Sequence, residues 1–167
     1  MHLLQWNFPL KKDPTLYNIF SFQGTTNVNA GFFLNYRFRN ISFFSELGQS
    51  VGAGRAGLAG MLISAHPTFD LAILLRNYGR NFHALYANAF SEGTLPQNER
   101  GVYWGWKYRP DRKHNFSGYV DLFSFPWLGF RRYAPSTGNE WLLKATYQPS
   151  RKASAFAQFR EERDVFQ

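Results

Sequence analysis

Alternation of apolar and polar side chains between residues 27 and 38 is the feature that most restricts the fold of this chain. Successive side chains of a strand point to opposite faces, so the pattern predicts a strand with one apolar and one polar face. The segment exceeds the usual soluble strand of about 5–6 residues and is close to the about 9–11 residues that a tilted strand needs to cross a bilayer. Phe33 interrupts the pattern, and the apolar positions are Val28, Ala30, Phe32, Leu34, Tyr36 and Phe38.

The same pattern recurs along the chain and predicts about nine long strands in an antiparallel meander. Residues 15–167 are therefore expected to form an all-β unit, a complete or partial outer-membrane-type β-barrel. An irregular segment is expected at residues 1–14. The predicted strands cover residues 16–23, 27–38, 41–49, 52–64, 69–78, 100–109, 115–125, 140–148 and 152–162.

The connections between the predicted strands alternate in length. Short turns are predicted at residues 39–40, 65–68, 110–114 and 149–151, and longer loops at residues 50–55, 79–99 and 126–139. Short turns at one end and long loops at the other are typical of an outer-membrane barrel, whereas a soluble sandwich has no reason to keep this order. The connection at residues 24–27 departs from the pattern, because it is short where a long loop is expected.

The composition excludes some classes of protein and leaves others open. Aromatic residues make up 19% of the chain, which is high for a soluble globule and ordinary for strand-rich proteins with aromatic belts. No run of about 18 consecutive apolar residues exists, so a membrane-spanning helix is excluded while spanning strands are not. The chain has no cysteine, which excludes disulfides and thiolate metal sites. The net charge of +8 fits a basic soluble surface, an anionic membrane surface or nucleic acid.

Residues 1–13 lack the basic start and the apolar stretch of a secretion signal. An exported barrel needs such a signal. If the chain lies in the bacterial outer membrane, it is therefore expected to be an internal piece of a longer protein.

Motifs of common enzyme and metal sites are weak in this sequence. Gly52, Gly54 and Gly57 match the spacing of a dinucleotide fingerprint, but Asp70 comes too early for its acidic residue and the surrounding elements are strands. The histidines lack the spacing of a metal site, and no GxSxG motif marks a hydrolase nucleophile. We therefore expect no catalytic residues, no cofactor and no metal.

Two sets of residues are the candidate functional positions. Long loops with their own aromatic side chains often carry function, although such side chains also serve simply to pack a loop against a barrel mouth. The loop candidates are Asn88, Glu92, Asn98 and Glu99 in the first long loop, and Trp127, Arg131 and Arg132 in the second. The predicted lipid-facing residues are Val28, Ala30, Phe32, Leu34, Tyr36, Val102, Trp104, Trp106, Trp141, Leu143 and Tyr147.

Several strings of the sequence resemble a known family. They include FFSELGQS, GLAG, LAILLRNYGRNFHALYANAFSEG, NERGVYWG, YVDLFSFPWLGFRRYAPSTGNEWL and ATYQPSRK. Over residues 17–160 the chain resembles the β-rich C-terminal region of Bacteroidota helix-hairpin-helix domain-containing proteins. The resemblance implies a predicted outer-membrane barrel that follows paired helix-hairpin-helix motifs, which bind nucleic acid through its backbone. This sequence contains none of those motifs, so nucleic acid is expected only through other domains of a parent protein.

The resemblance also implies a barrel with more strands than are predicted here, and single-chain bacterial barrels normally have an even number of strands. Both points predict that the chain is a fragment. Its expected partners are outer-membrane lipid and the other barrel strands of the parent chain or of partner subunits.

Four functions follow from these patterns. The first is a segment of an outer-membrane β-barrel that serves as a pore, an anchor or an assembly platform, without catalysis. The second is a soluble antiparallel β-barrel that binds an apolar ligand in its interior. The third is an enzyme, for example a membrane-surface lipid hydrolase. The fourth is nucleic-acid binding through the basic surface, or an accessory role in DNA binding or uptake through the parent protein. The sequence favours the first.

Overall fold

A computed structural model describes residues 1–10 and 15–166, and within them the chain forms one sheet of nine antiparallel strands. Each strand pairs with the next along the chain, so the predicted all-β meander is confirmed. The strands are β1 His2–Leu10, β2 Gly24–Phe38, β3 Ile41–Ser50, β4 Arg55–His66, β5 Phe69–Tyr78, β6 Glu99–Tyr108, β7 His114–Phe125, β8 Ser136–Ser150 and β9 Ala153–Phe166. In the described residues β1 and β9 pair with one neighbour each, which leaves the sheet open. No helix in that part of the chain is long and apolar enough to cross a membrane.

The first strand lies elsewhere than the sequence predicts. Residues 16–20 form a turn, and the strand is His2–Leu10, within the segment expected to be irregular. Residues 11–14 of that segment lie outside the described residues. The turn is closed by backbone hydrogen bonds, from Asn18 N to the Thr15 carbonyl and from Ser21 N to the Asn18 carbonyl, both at 2.8 Å. The remaining predicted strands correspond to β2 to β9.

The aromatic residues that suggested a strand at residues 16–23 pack against loops instead. Tyr17 lies edge-on to Phe130, and Phe20 lies edge-on to Trp127 with a ring-centroid distance of 5.3 Å. Aromatic side chains have a high strand propensity because they fit a half-buried surface, and a loop-packed turn offers the same surface. With β1 at His2–Leu10, the connection from β1 to β2 becomes long. The exception to the alternation is then the connection between β3 and β4, residues 51–54, which is expected to be long and is shorter than the turn at residues 109–113.

The register of the sheet separates one apolar face from one polar face. Directly opposed residues share a face, so the pairs Ile73–Trp104, Trp104–Val120 and Val120–Trp141 form one row across β5 to β8. Every apolar position of the alternating segment in β2 lies on the same face as this row. We call this surface the apolar face. No described element packs on it, and Phe32 and Trp104 are 62% and 59% exposed.

The buried side chains gather on the opposite, polar face, near the ends of the strands where the long loops lie. They include Leu74, Tyr78, Phe82, Phe123 and Phe125. The loop between β5 and β6, residues 79–98, folds over this face and supplies Phe82. The small core therefore sits between a loop and the sheet, and it fixes the positions of the polar groups described next.

Candidate functional site

The predicted lipid-facing residues all lie on the apolar face. Those in β2 alternate along the strand, and those in β6 and β8 lie on the same face through the register with β7. Most are exposed, while Val28, Trp106 and Trp141 are half-buried by their neighbours on the face. The structure thus places on one face residues as far apart in the chain as Val28 and Tyr147, and it leaves them uncovered within the described residues.

A row of aromatic rings borders the apolar face at the end of the sheet that carries the short turns. Phe69 of β5 contacts Tyr108 of β6, and Tyr108 stacks with Phe116 of β7, each with ring centroids 6.4 Å apart. His114 continues the row and stacks with Tyr147 of β8 at 5.0 Å. These contacts follow from the register, because the strands end at the same level. Girdles of aromatic residues at the membrane interfaces are a feature of outer-membrane barrels.

The polar face carries a fully buried group of charges under the long loops. Arg76 Nε donates to Glu99 Oε1 at 2.5 Å, and Arg76 Nη1 donates to both carboxylate oxygens of Asp121 at 2.9 and 3.0 Å. The side chains of Arg76 and Glu99 are 0% exposed. Buried charges are costly unless they are paired and hydrogen-bonded, so each member of this triad depends on the others. Gly101 leaves room for the guanidinium, because a Cβ there would lie 2.5 Å from Arg76 Cζ.

The triad also holds the loop between β5 and β6. The backbone N–H groups of Glu92 and Gly93 donate to the Glu99 carboxylate at distances of 3.0 to 3.1 Å. The ring of Phe90 lies under the Arg76 guanidinium, with 5.3 Å between Cζ and the ring centroid. A carboxylate of the sheet thus accepts hydrogen bonds from the loop and from the arginine at the same time. The loop is therefore fixed by charged groups as well as by the Phe82 ring.

A second charged group lies next to the triad, toward the edge strand β9. Tyr119 Oη donates to Glu140 Oε1, and Arg160 Nη2 donates to Glu140 Oε2 at 2.9 Å. Arg160 also lies 3.6 Å from Glu162. Glu140 is buried, while Arg160 and Glu162 are partly exposed. The polar face therefore carries charged side chains from β5 to β9. Within these two groups, acidic side chains pair with arginines.

The loop between β5 and β6 is also tied to β2 and β3. Asn29 Nδ2 donates to the His83 carbonyl at 2.9 Å, and His83 N donates to Ser50 Oγ at 2.8 Å. Ser50 is 0% exposed. Gly54 lies directly under the loop, because a Cβ at this position would lie 2.6 Å from Phe82 N. The glycine motif that resembled a nucleotide fingerprint thus provides close backbone approach at Gly54.

The candidate residues of the first long loop have different positions. Asn88 is exposed and lines a cavity between this loop and the sheet. Glu92 is exposed, and its backbone N–H donates to the Glu99 carboxylate. Partial burial raises the pKa of Glu92, and the nearby carboxylates of Asp121 and Glu140 raise it further. Asn98 has a positive φ of 55° and donates to the Trp127 carbonyl at 3.0 Å. Glu99 is the first residue of β6 and belongs to the buried triad.

The candidate residues of the second long loop are likewise separated. Trp127 Nε1 donates to the Leu16 carbonyl at 3.1 Å, so its ring packs between loops. Arg132 Nη2 donates to Asp164 Oδ2 of β9 at 3.0 Å. Arg131 is exposed and lies over the Phe130 ring. Tyr133, at 92% exposure, is the most exposed aromatic residue of this loop.

The sequence did not single out Arg76, Asp121 or Glu140 as site residues. Each occupies a polar-face position of an alternating strand, close to the end with the long loops, and this shared position is the signal that could have found them. Among the described residues no group of three His, Cys, Asp or Glu side chains is arranged to hold a metal ion. The arrangement instead provides a fixed, charged and loop-covered face opposite an uncovered apolar one.

Comparison with known proteins gave no match to this chain, whether among protein-family models, curated proteins or solved structures.

Proposed function

We propose that this chain is a segment of a bacterial outer-membrane β-barrel, with its apolar face against lipid and its polar face toward the interior of the barrel. The observation that carries the proposal is the uncovered apolar face, which extends over all strands from β2 to β8. Monomeric soluble proteins rarely expose contiguous apolar patches above about 300–600 Å², and larger ones mark interaction sites. In a bilayer such a surface is solvated by hydrocarbon and needs no protein cover.

The lengths of the strands support the same proposal. From β2 to β9 the strands have between 10 and 15 residues. A membrane-spanning strand tilted by about 45° needs about 9–11 residues. The aromatic row at the end with the short turns corresponds in position to an interfacial girdle, and short turns are a feature of the periplasmic side of such barrels. We therefore assign the short turns to the periplasmic side and the long loops to the outside.

The directions of the strands define what completes the barrel. Because neighbours alternate in direction and the described sheet has nine strands, β1 and β9 run the same way, toward the long loops. An all-antiparallel barrel then needs an odd number of further strands between them. A second copy in the same membrane orientation would meet these edges in parallel. We therefore favour strands of a parent protein, which the resemblance to the helix-hairpin-helix family also suggests.

Quenching by brominated lipids tests whether the apolar face meets hydrocarbon. Three variants of the full chain keep one tryptophan each, Trp104, Trp141 or Trp127, with the other tryptophans changed to Phe. The chain is reconstituted in vesicles whose acyl chains carry bromine near the bilayer centre. Trp104 and Trp141 are expected to lose most of their fluorescence, whereas Trp127, which packs between loops, is the matched control and should keep it.

Two results would overturn the proposal. One is equal, weak quenching of all three tryptophans in reconstituted samples that show a strand-rich circular-dichroism spectrum. The other is a monomer in buffer without detergent that unfolds cooperatively, because a soluble monomer would need another cover for the apolar face.

A further inference from the structure

The loop of residues 79–98 and the polar face of β1 to β5 enclose a cavity of about 540 Å³ that is open on one side. Its volume falls in the range of about 300–1,000 Å³ that is usual for small-molecule sites. Apolar side chains make up most of its wall, including Leu58 from the sheet and Phe82 from the loop. The loop that closes it is held by the buried charges and by the Ser50–His83 hydrogen bond, so the cavity exists before any ligand enters.

One charge stands out in this wall. Among the described residues that line the cavity, Glu46 of β3 is the only charged side chain. The ion pairs within 4.0 Å that join other described residues do not include it, in contrast to Glu99 and Glu140. An acidic group without a cationic partner, placed at the wall of an apolar cavity, favours a ligand that brings the positive charge.

Aromatic rings surround the same space. Tyr78, Phe82, Tyr86 and Phe90 all line the cavity. Aromatic faces attract ammonium groups, and cages of such rings recognise alkylated ammonium ligands. One of these rings, Phe90, already lies against the Arg76 guanidinium, with 5.3 Å between Cζ and the ring centroid. The wall therefore offers an apolar container, several ring faces and one carboxylate.

We propose that this cavity binds an organic cation with an apolar body, such as an alkylammonium compound. The ammonium group pairs with the Glu46 carboxylate, and the apolar body lies among the aromatic rings. An anionic molecule with the same body is disfavoured, because its charge would meet the same carboxylate. This site lies on the loop-covered face and does not depend on what meets the apolar face.

Calorimetric titration of the full chain tests the proposal, in buffer or in the non-ionic detergent in which the chain is monomeric. The probes are hexyltrimethylammonium, 1-hexanol and hexyl sulfate, which share an alkyl chain and differ in charge. The ammonium probe is expected to bind most tightly and hexyl sulfate least tightly. Raising the salt concentration from 0.05 to 0.5 M is expected to lower the affinity for the ammonium probe, because salt screens partly exposed ion pairs. The affinity for hexanol is expected to stay nearly unchanged.

Glu46→Gln removes the charge and keeps the shape of the side chain. This substitution is expected to lower the affinity for the ammonium probe about fivefold to tenfold, because one partly exposed charge-assisted contact is lost. The affinity for hexanol is expected to stay unchanged. Glu92→Gln is the matched control, because this carboxylate belongs to the loop that covers the cavity and does not line the cavity. Equal affinities for the ammonium and sulfate probes on the unmodified chain would overturn the proposal. So would a Glu46→Gln variant with an unchanged circular-dichroism spectrum and unchanged affinity for the ammonium probe.

Discussion

Arginine substitutions at two different depths on the apolar face distinguish whether lipid or water contacts that face. Val120 lies near the middle of β7 and is 43% exposed, while Phe116 lies toward the short turn and is 37% exposed. The two side chains are on the same face and have similar exposure, so they differ mainly in their position along the strand. We compare the free energies of unfolding of Val120→Arg and Phe116→Arg. Each is measured relative to the Ala variant at the same position, so that the loss of side-chain packing does not enter the comparison.

The strand geometry sets the expected difference. Four residues of a strand cover about 13 Å, which becomes about 10 Å of depth at a tilt of about 40°. The apolar band of an outer-membrane barrel is about 25 Å tall, so a residue about 10 Å from its centre lies near the interface. An arginine at the midplane costs about 2–4 kcal/mol of stability, and one near the interface costs about 0–1 kcal/mol. Val120→Arg is therefore expected to cost about 2 kcal/mol more than Phe116→Arg.

The free energy of unfolding is measured by reversible denaturant titration of the chain in lipid vesicles, with tryptophan fluorescence and electrophoretic mobility as independent probes of folding. If water met this face, both arginines would change stability by no more than about 0.5 kcal/mol, as exposed surface substitutions usually do. Equal costs at the two depths would therefore refute the lipid-facing assignment, even if both variants folded.

Three further predictions concern the polar face and its loop. Arg76→Met leaves two buried carboxylates without their cation and is expected to lower the free energy of unfolding by about 3–5 kcal/mol in denaturant titrations; a loss below about 1 kcal/mol would contradict the buried triad. Gly54→Ala places a Cβ 2.6 Å from loop backbone and should speed proteolysis within residues 79–98, whereas Gly129→Ala, with no neighbour nearer than 3.6 Å, should not. Burial lowers the pKa of His83 below its ordinary 6.5, so the unfolded chain binds the proton more readily. The stability of the loop is then complete above that value and falls as the pH decreases through it, which hydrogen exchange at pH 7.5 and 5.5 would detect and which His83→Gln should abolish.

The positions of most strands could be read from the sequence because an exposed apolar face forces a period of two along every strand. In β6 the alternation of Val102, Trp104 and Trp106 with polar or small residues fixed both the strand and its face. The first strand is misplaced because residues 16–23 are rich in aromatic side chains, which serve loop packing there. Its true location, His2–Leu10, also alternates, with Leu4, Trp6, Phe8 and Leu10 against Gln5, Asn7 and Pro9.

The polar site was harder to predict. The polar faces of the strands carry charges of both signs, and no local pattern shows that Arg76, Glu99 and Asp121 are buried together under a loop. Glu99 was assigned to a loop by its neighbours in the sequence, whereas the register places it opposite Tyr78 and next to the arginine. Local pattern describes the face on which a side chain lies and does not describe what covers that face.

Alternation and the order of turns are local properties, and they determined by themselves that this chain forms a meander of long strands with one continuous apolar surface. The tertiary structure alone decided which charges pair and that residues 79–98 fold inward. It also decided that a cavity remains beneath them, lined by one carboxylate that forms no ion pair with another described residue. The physical reason is distance along the chain. A strand's face depends on the next few residues, whereas the Arg76–Asp121 contact joins positions 45 residues apart and exists only once the register of three strands is set.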